Sequence, residues 1–174
     1  MSDRGLEMDL LGLGDLRNGS SSPSRDPQPA IAKCEKFVAF FLGRKLFCFP
    51  AETVSEVIHP LPVSPLPNAP GFVAGIAAFK SEVMVVLDLK TLLKVEDTCL
   101  EERPKLILLN TEANRTRFAI AIDAMHELIT LTAGESEPDQ RPTVPSLTRP
   151  INHQERVFYI IDPDALLSEV EKNI

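Results

Sequence analysis

Residues 47–58, FCFPAETVSEVI, align without a gap on residues 118–129, FAIAIDAMHELI. The alignment sets Phe47 against Phe118, Glu52 against Asp123, Glu56 against Glu127, and Val57-Ile58 against Leu128-Ile129. A second pair follows in the same order, MVVLDLKTLL (84–93) and FYIIDPDALL (158–167), matching Asp88 with Asp162 and both Leu-Leu ends. One such match can arise by chance between strand-rich segments. Two in the same order indicate a duplication, with halves at about 36–94 and about 105–168.

Within a half the pattern is mostly strand. Lys36–Leu42 and Lys45–Phe49 flank Gly43-Arg44 as the arms of a tight hairpin do. Ala51–Ile58 predicts a short helix or turn and then the start of a strand, with Val54, Val57 and Ile58 on one face. HPLPVSPLPNAPG (59–71) holds five prolines and predicts an extended loop. The stretch after it, FVAGIAAFKSEVMVVLDL, predicts a second hairpin that turns near Lys80–Glu82. Asp88 and Asp162 each close a strand and are placed to cap a following helix; Pro163 is a favoured first helical residue. About five short strands per half suit a small closed barrel, which removes exposed edges. Each barrel has a thin core at this size, so the two are expected to pack together.

Composition narrows the function. The chain has 174 residues, a formal charge of -7 and 44% hydrophobic residues. An acidic balance disfavours nucleic acid, whose phosphates favour Lys/Arg patches, and disfavours an anionic membrane surface. No apolar run approaches the roughly 20 residues that span a bilayer, and no basic region followed by an apolar run announces a secretion signal. Cys34, Cys48 and Cys99 make an odd number without CxxC spacing, which fits structural thiols in a reducing compartment. A cytoplasmic protein is expected.

Residues 1–32 read differently. RNGSSSPSRDPQPAIA (17–32) carries too little apolar surface to offset its ordering entropy and predicts a disordered linker. Ahead of it, Leu6, Leu10 and Leu13 stand at helical spacing. Leu6–Leu16 is thus a candidate motif for folding on a partner, beside the plainer reading of an inert tail.

With these halves in view, residues 36–170 resemble the CheW family of chemotaxis coupling proteins. The resemblance rests on FVAFFLGRKLFCFPAETVSEVI, SPLPNAPGFVAGI (64–76) and VVLDLKTLL (85–93). It implies a mainly β fold of two intertwined five-stranded SH3-like barrels, with short helices and a C-terminal helix, over residues 33–174. It further implies a cytoplasmic adaptor without an active site that couples the regulatory domain of a CheA-type histidine kinase to the cytoplasmic tip of chemoreceptors. Val54, Glu56 and Val57 match the family's VxEV element on its partner-facing surface. Leu66, Pro67, Pro70, Phe72, Val73 and Gly75 match its LPxxPxFVxG element. The family's Asn-Leu-Arg-Gly hairpin reads Ala78-Phe79-Lys80-Ser81 here, with Val85 in place of a proline. Lys keeps the charge but loses the planar fork of Arg, and Ser81 replaces a residue that tolerates positive φ. These departures point to a divergent chemosensory system, or to a CheW-like binding module repurposed outside standard arrays.

Catalytic and metal-binding patterns are weak. His59, His126 and His153 lack HxxxH or HExxH spacing, and no GxSxG or phosphate-binding Gly loop occurs. Cys48 alternates with Phe47 and Phe49 and reads as a structural thiol. Glu52 and Asp123 could form an acid–base pair, but a repeated cap or turn role is simpler. No cofactor, metal or catalytic residue is assigned. The binding candidates are Val54, Glu56, Val57, Phe72, Lys80, Ser81, Glu82, Val83 and Val85. Val83 and Val85 also admit the plainer role of filling the first barrel.

Overall fold

The computed structural model describes residues 34–96, 104–110, 117–132 and 147–173. The expected tail and linker (1–32), the Leu6–Leu16 motif and Cys99 lie outside these residues. The first half supplies β1 (Cys34–Leu42), β2 (Lys45–Pro50), a 3-10 turn (Ala51–Thr53), β3 (Val54–Ile58), β4 (Val73–Phe79), β5 (Glu82–Asp88) and helix α1 (Leu89–Leu93). The second supplies β6 (Lys105–Leu109), β7 (Arg117–Ile122), β8 (Ala124–Thr132), β9 (Thr148–His153), β10 (Arg156–Ile161) and helix α2 (Pro163–Lys172).

Local chemistry explains most boundaries. Gly43 takes φ +57° at the first central position of the β1–β2 turn, where a positive φ favours glycine. Asp88 Oδ1 accepts from the Lys90 N–H at 2.9 Å, and its Oδ2 accepts from the Thr91 hydroxyl at 2.8 Å. Asp162 Oδ1 accepts from the Asp164 and Ala165 N–H groups at 2.9 and 3.2 Å, with Pro163 opening α2. Both aspartates are therefore N-caps, as their places in the repeat predict. The proline-rich loop has no regular structure except at Ser64, which exchanges two backbone hydrogen bonds with Ile76 at 2.8 and 2.9 Å.

The strands assemble into two five-stranded sheets with the orders β8-β1-β2-β10-β9 and β3-β6-β7-β5-β4. Each sheet takes the first two strands of one half and the last three of the other. Parallel pairs make the exchange: β10 runs beside β2, and β5 beside β7. The two orders become identical when each strand is replaced by its counterpart in the other half, so the duplication is visible in three dimensions. The reading in which each half closes its own barrel is corrected here, whereas the intertwining implied by the resemblance is present.

Intertwining changes where the core lies. Phe37, Ala39, Leu46, Cys48, Ile129, Leu131, Ile151 and Phe158 cluster on one face of the first sheet. Ile58, Ala77, Met84, Val86, Leu106, Leu108 and Ala119 do the same on the second. The largest cluster lies between the sheets, where Phe40, Phe47 and Phe49 meet Leu87, Ile107, Phe118 and Ile120 under Leu89, Leu166 and Val170 of the helices. Strands such as β2 and β7 are buried on both faces, which explains their near-continuous apolar sequences.

Two details depart from the sequence reading. A bulge at Ser55 sets Val54 and Ser55 together against Leu109, and an extra residue flips the faces beyond it. Val54 and Val57 consequently pack on the inter-sheet core while Ile58 joins the other cluster, so the three do not share a face. On β5, Met84 and Val86 fill the sheet's own cluster, Val85 packs on the inter-sheet core, and Val83 is exposed. Among the described residues no helix is long and apolar enough to cross a membrane.

Candidate partner-binding surface

The edges of the second sheet are β3 and β4, and one ion pair spans the distance between them. Lys80 at the β4–β5 tip places its Nζ 2.8 Å from Glu56 Oε2 on β3. This exposed ion pair links the turn after one edge strand to the other edge strand. Phe79 pairs with Glu82, leaving Lys80 and Ser81 as a two-residue turn with φ +49° and +68°. Positive φ at both positions is what a type I′ hairpin demands, and it costs residues other than glycine backbone strain. The Lys80 ammonium also lies 4.8 Å from the Phe79 ring centroid. Beside the turn, Glu82 pairs with Arg117 at 2.6 Å. Val83 follows with 65% of its surface exposed.

Five of the nine candidates, Glu56, Lys80, Ser81, Glu82 and Val83, therefore come together on one exposed rim. Val54, Val57, Phe72 and Val85 are half-buried against the inter-sheet core and lie outside that rim. Phe72 is also held through its carbonyl, which accepts from the Asp88 N–H at 2.8 Å. Arg117 was not among the candidates, because its approach to Glu82 depends on the parallel β5–β7 pairing. The rim is an apolar spot enclosed by charges of both signs, chemistry suited to a protein partner.

The other candidates for chemistry fall to structural roles. Cys48 is fully buried; burial pushes its thiol up to about 12 despite the opposing influence of Arg149, so no thiolate nucleophile forms at neutral pH. Glu52 and Asp123 make no acid–base pair: the Asp123 oxygens accept from the Gly43 N–H at 2.7 Å and from Lys90 Nζ at 2.9 Å. His59 Nδ1 lies 3.0 Å from Lys105 Nζ. His126 packs edge-on to Phe41 and lies near Phe158, whose other neighbour is His153. Among the described residues no group of three or more His, Cys, Asp or Glu is arranged to hold a metal ion.

A family model described as the CheW-like domain matches residues 36–171. A probable chemotaxis protein CheW of Rhizobium etli is 21% identical over 145 residues, covering 78% of this chain and 89% of the relative. The chemotaxis protein CheW of Klebsiella aerogenes is 23% identical over 141 residues, covering 79% of this chain and 84% of the relative. The crystal structure of the scaffolding protein TtCheW from Thermoanaerobacter tengcongensis superposes with a TM-score of 0.65 at 20% identity, covering 75% of this chain and 90% of that one. That likeness establishes two intertwined SH3-like barrels as the shared fold. The chain belongs to the CheW-like family and is thus a non-catalytic adaptor of chemosensory signalling.

Proposed function

We propose that residues 33–174 act as a cytoplasmic adaptor that binds the regulatory domain of a CheA-type histidine kinase and links it to the cytoplasmic tip of chemoreceptors. The observation that carries this reading is the Glu56–Lys80 rim: an ion pair linking the two edges of the second sheet, with Val83 exposed beside it. Docking apolar Val83 removes water from the charges around it, so a partner must supply complementary groups. That requirement provides selectivity. The test is co-elution of the purified chain with the regulatory domain of a CheA-type kinase from the same genome, before and after Lys80→Glu. A one-to-one complex weakened by the charge reversal supports the reading. A complex indifferent to Lys80→Glu moves the interface elsewhere, and no complex at all removes the kinase as partner.

A second reading has one observation in its favour. The hairpin tip carries Lys80-Ser81 at positive φ, without the Asn, Arg and Gly of the family's signature. A module that has left standard arrays would take a different partner, one recruited through Leu6–Leu16. Deleting residues 1–32 separates the two: a partner lost with the tail supports this reading, and a kinase complex kept without it opposes it.

A further inference from the structure

The duplication provides an internal control for charge. In the second barrel Glu82 opens β5 and pairs with Arg117 on the parallel neighbour β7. The same place in the first barrel is occupied by Arg156, which opens β10 beside β2. There Arg156 meets two further cations, Arg44 of the β1–β2 turn and Lys45 of β2. The three surround a hollow of about 520 Å3 floored by Phe41, Leu46 and Tyr159, with Val157 at its rim. Among the described residues no carboxylate lines the hollow. None among the described residues pairs with Arg44, Lys45 or Arg156. In a chain of net charge -7 this is a local inversion of sign.

The site is built before any ligand arrives. Lys45 Nζ stands 5.9 Å from the centroid of the Tyr159 ring, which steadies the ammonium over the floor. The turn carrying Arg44 is pinned through the Gly43 N–H to Asp123, and the other oxygen of that carboxylate is taken by Lys90. Asp123 thus fixes the turn while its charge is already matched. Ordering the lip in advance lowers the entropy lost on binding.

We propose that this hollow binds an acidic peptide segment of a partner protein, one in which Asp or Glu alternates with leucine-like residues. The guanidinium groups of Arg44 and Arg156 offer planar forks that take carboxylates bidentately. The apolar floor accepts the aliphatic side chain between them, and Arg and Tyr are residues that dominate binding energy at protein interfaces. The hollow lies on the barrel opposite to the Glu56–Lys80 rim, so the two surfaces can be engaged independently.

The test is fluorescence anisotropy of a labelled synthetic peptide alternating Asp or Glu with Leu, titrated with the full chain. Arg156→Glu, which installs the charge found at Glu82, is expected to weaken binding by about tenfold or more. Lys172→Glu, the same charge change on α2, is expected to leave it unaltered. If Arg156→Glu disturbs folding, judged by its thermal melt, Arg156→Gln replaces it and is expected to weaken binding severalfold. Equal binding of the amide analogue, with Asn and Gln for the acids, overturns the proposal. So does no binding of the acidic peptide, or binding only of a phosphoserine version, which would assign the site to phosphorylated partners.

Discussion

The Asp123 carboxylate accepts a hydrogen bond from the backbone N–H of Gly43 at 2.7 Å, joining residues 80 positions apart. Its backbone N–H donates to the Phe41 carbonyl at 3.1 Å, and its second oxygen accepts from Lys90 at 2.9 Å. The β7–β8 corner, the β1–β2 turn and helix α1 are thus tied at one side chain that is only 13% exposed.

Truncating Asp123 strips two charge-assisted bonds, leaves the Gly43 donor without its acceptor and removes one carboxylate from beside Lys90. Asp123→Ala is expected to cost about 2–3 kcal/mol. Asp123→Asn keeps an acceptor for Gly43 and loses only the charge facing Lys90, so about half that cost is expected. Urea denaturation with an unchanged m-value checks both. An Asp123→Ala variant as stable as the parent would show that the clamp contributes nothing net.

Two backbone positions give predictions of opposite sign. Ser81 sits at φ +68°, where an L-residue loses about 1–2 kcal/mol relative to a negative φ. Ser81→Gly relieves this, and the greater freedom of glycine in the unfolded chain takes part of it back. A net gain of about 0.5–1 kcal/mol is expected, read as a higher melting temperature. Gly75 has φ +143°, and a Cβ there would stand 2.2 Å from the Ser64 carbonyl oxygen. Because backbone cannot yield as a flexible side chain does, Gly75→Ala is expected to cost about 3 kcal/mol or more. Equal stability of Gly75→Ala and parent would mean that the proline-rich loop moves away at little cost.

These cases separate what was legible in the sequence from what was not. The Gly43-Arg44 turn, both Asp caps and the repeat rest on local chemistry, and local chemistry is written in consecutive residues. The hairpin tip at Lys80-Ser81 was legible because charged residues interrupt an apolar alternation there. Intertwining was not legible from periodicity, because the β2–β10 and β5–β7 pairs join distant segments and either half could have closed on itself. The bulge at Ser55 was hidden too: Val54, Val57 and Ile58 are all apolar, and one inserted residue decides which of them face together. The rim was half legible. Glu56 and Lys80 stand out separately in the sequence, but their contact joins segments from opposite edges of the sheet. Asp123 reads as a cap or turn residue in the sequence, and its bonds to Gly43 and Lys90 lie beyond any local pattern.

Cysteine chemistry sets a pH prediction. The Cys48 thiol titrates near 9.0 when unfolded and is held at about 12 by burial in the fold. Between these values the unfolded chain binds fewer protons than the native one, so stability falls as pH rises. The expected slope is about 1.4 kcal/mol per pH unit from this group, and below pH 9 it contributes no pH dependence. Cys48→Ala should remove that slope while lowering stability at all pH values through the cavity it leaves. In the native chain at neutral pH, exposed Cys34 should react with iodoacetamide and Cys48 should not, as peptide mass mapping would show. Equal labelling of the two would mean that β2 opens readily.

The Glu56–Lys80 pair calls for a prediction that separates stability from binding. Its side chains are 41% and 66% exposed, so water screens the attraction and the pair contributes less than about 1 kcal/mol to the fold. Lys80→Glu should therefore leave the urea midpoint nearly unchanged while weakening partner association. Restoring the attraction in reverse, with Glu56→Lys and Lys80→Glu together, separates two possible origins of that loss. If the pair only holds the rim in shape, the swap should recover association. If the partner reads the sign of charge at the hairpin tip, the swap should stay weak although the ion pair is back. The second outcome is expected, because the Lys80 side chain is the more exposed of the pair at the hairpin tip, where an incoming carboxylate can reach it. Recovery by the swap would assign Glu56 and Lys80 to linking the two edges and leave Val83 and the Glu82–Arg117 pair as the binding groups.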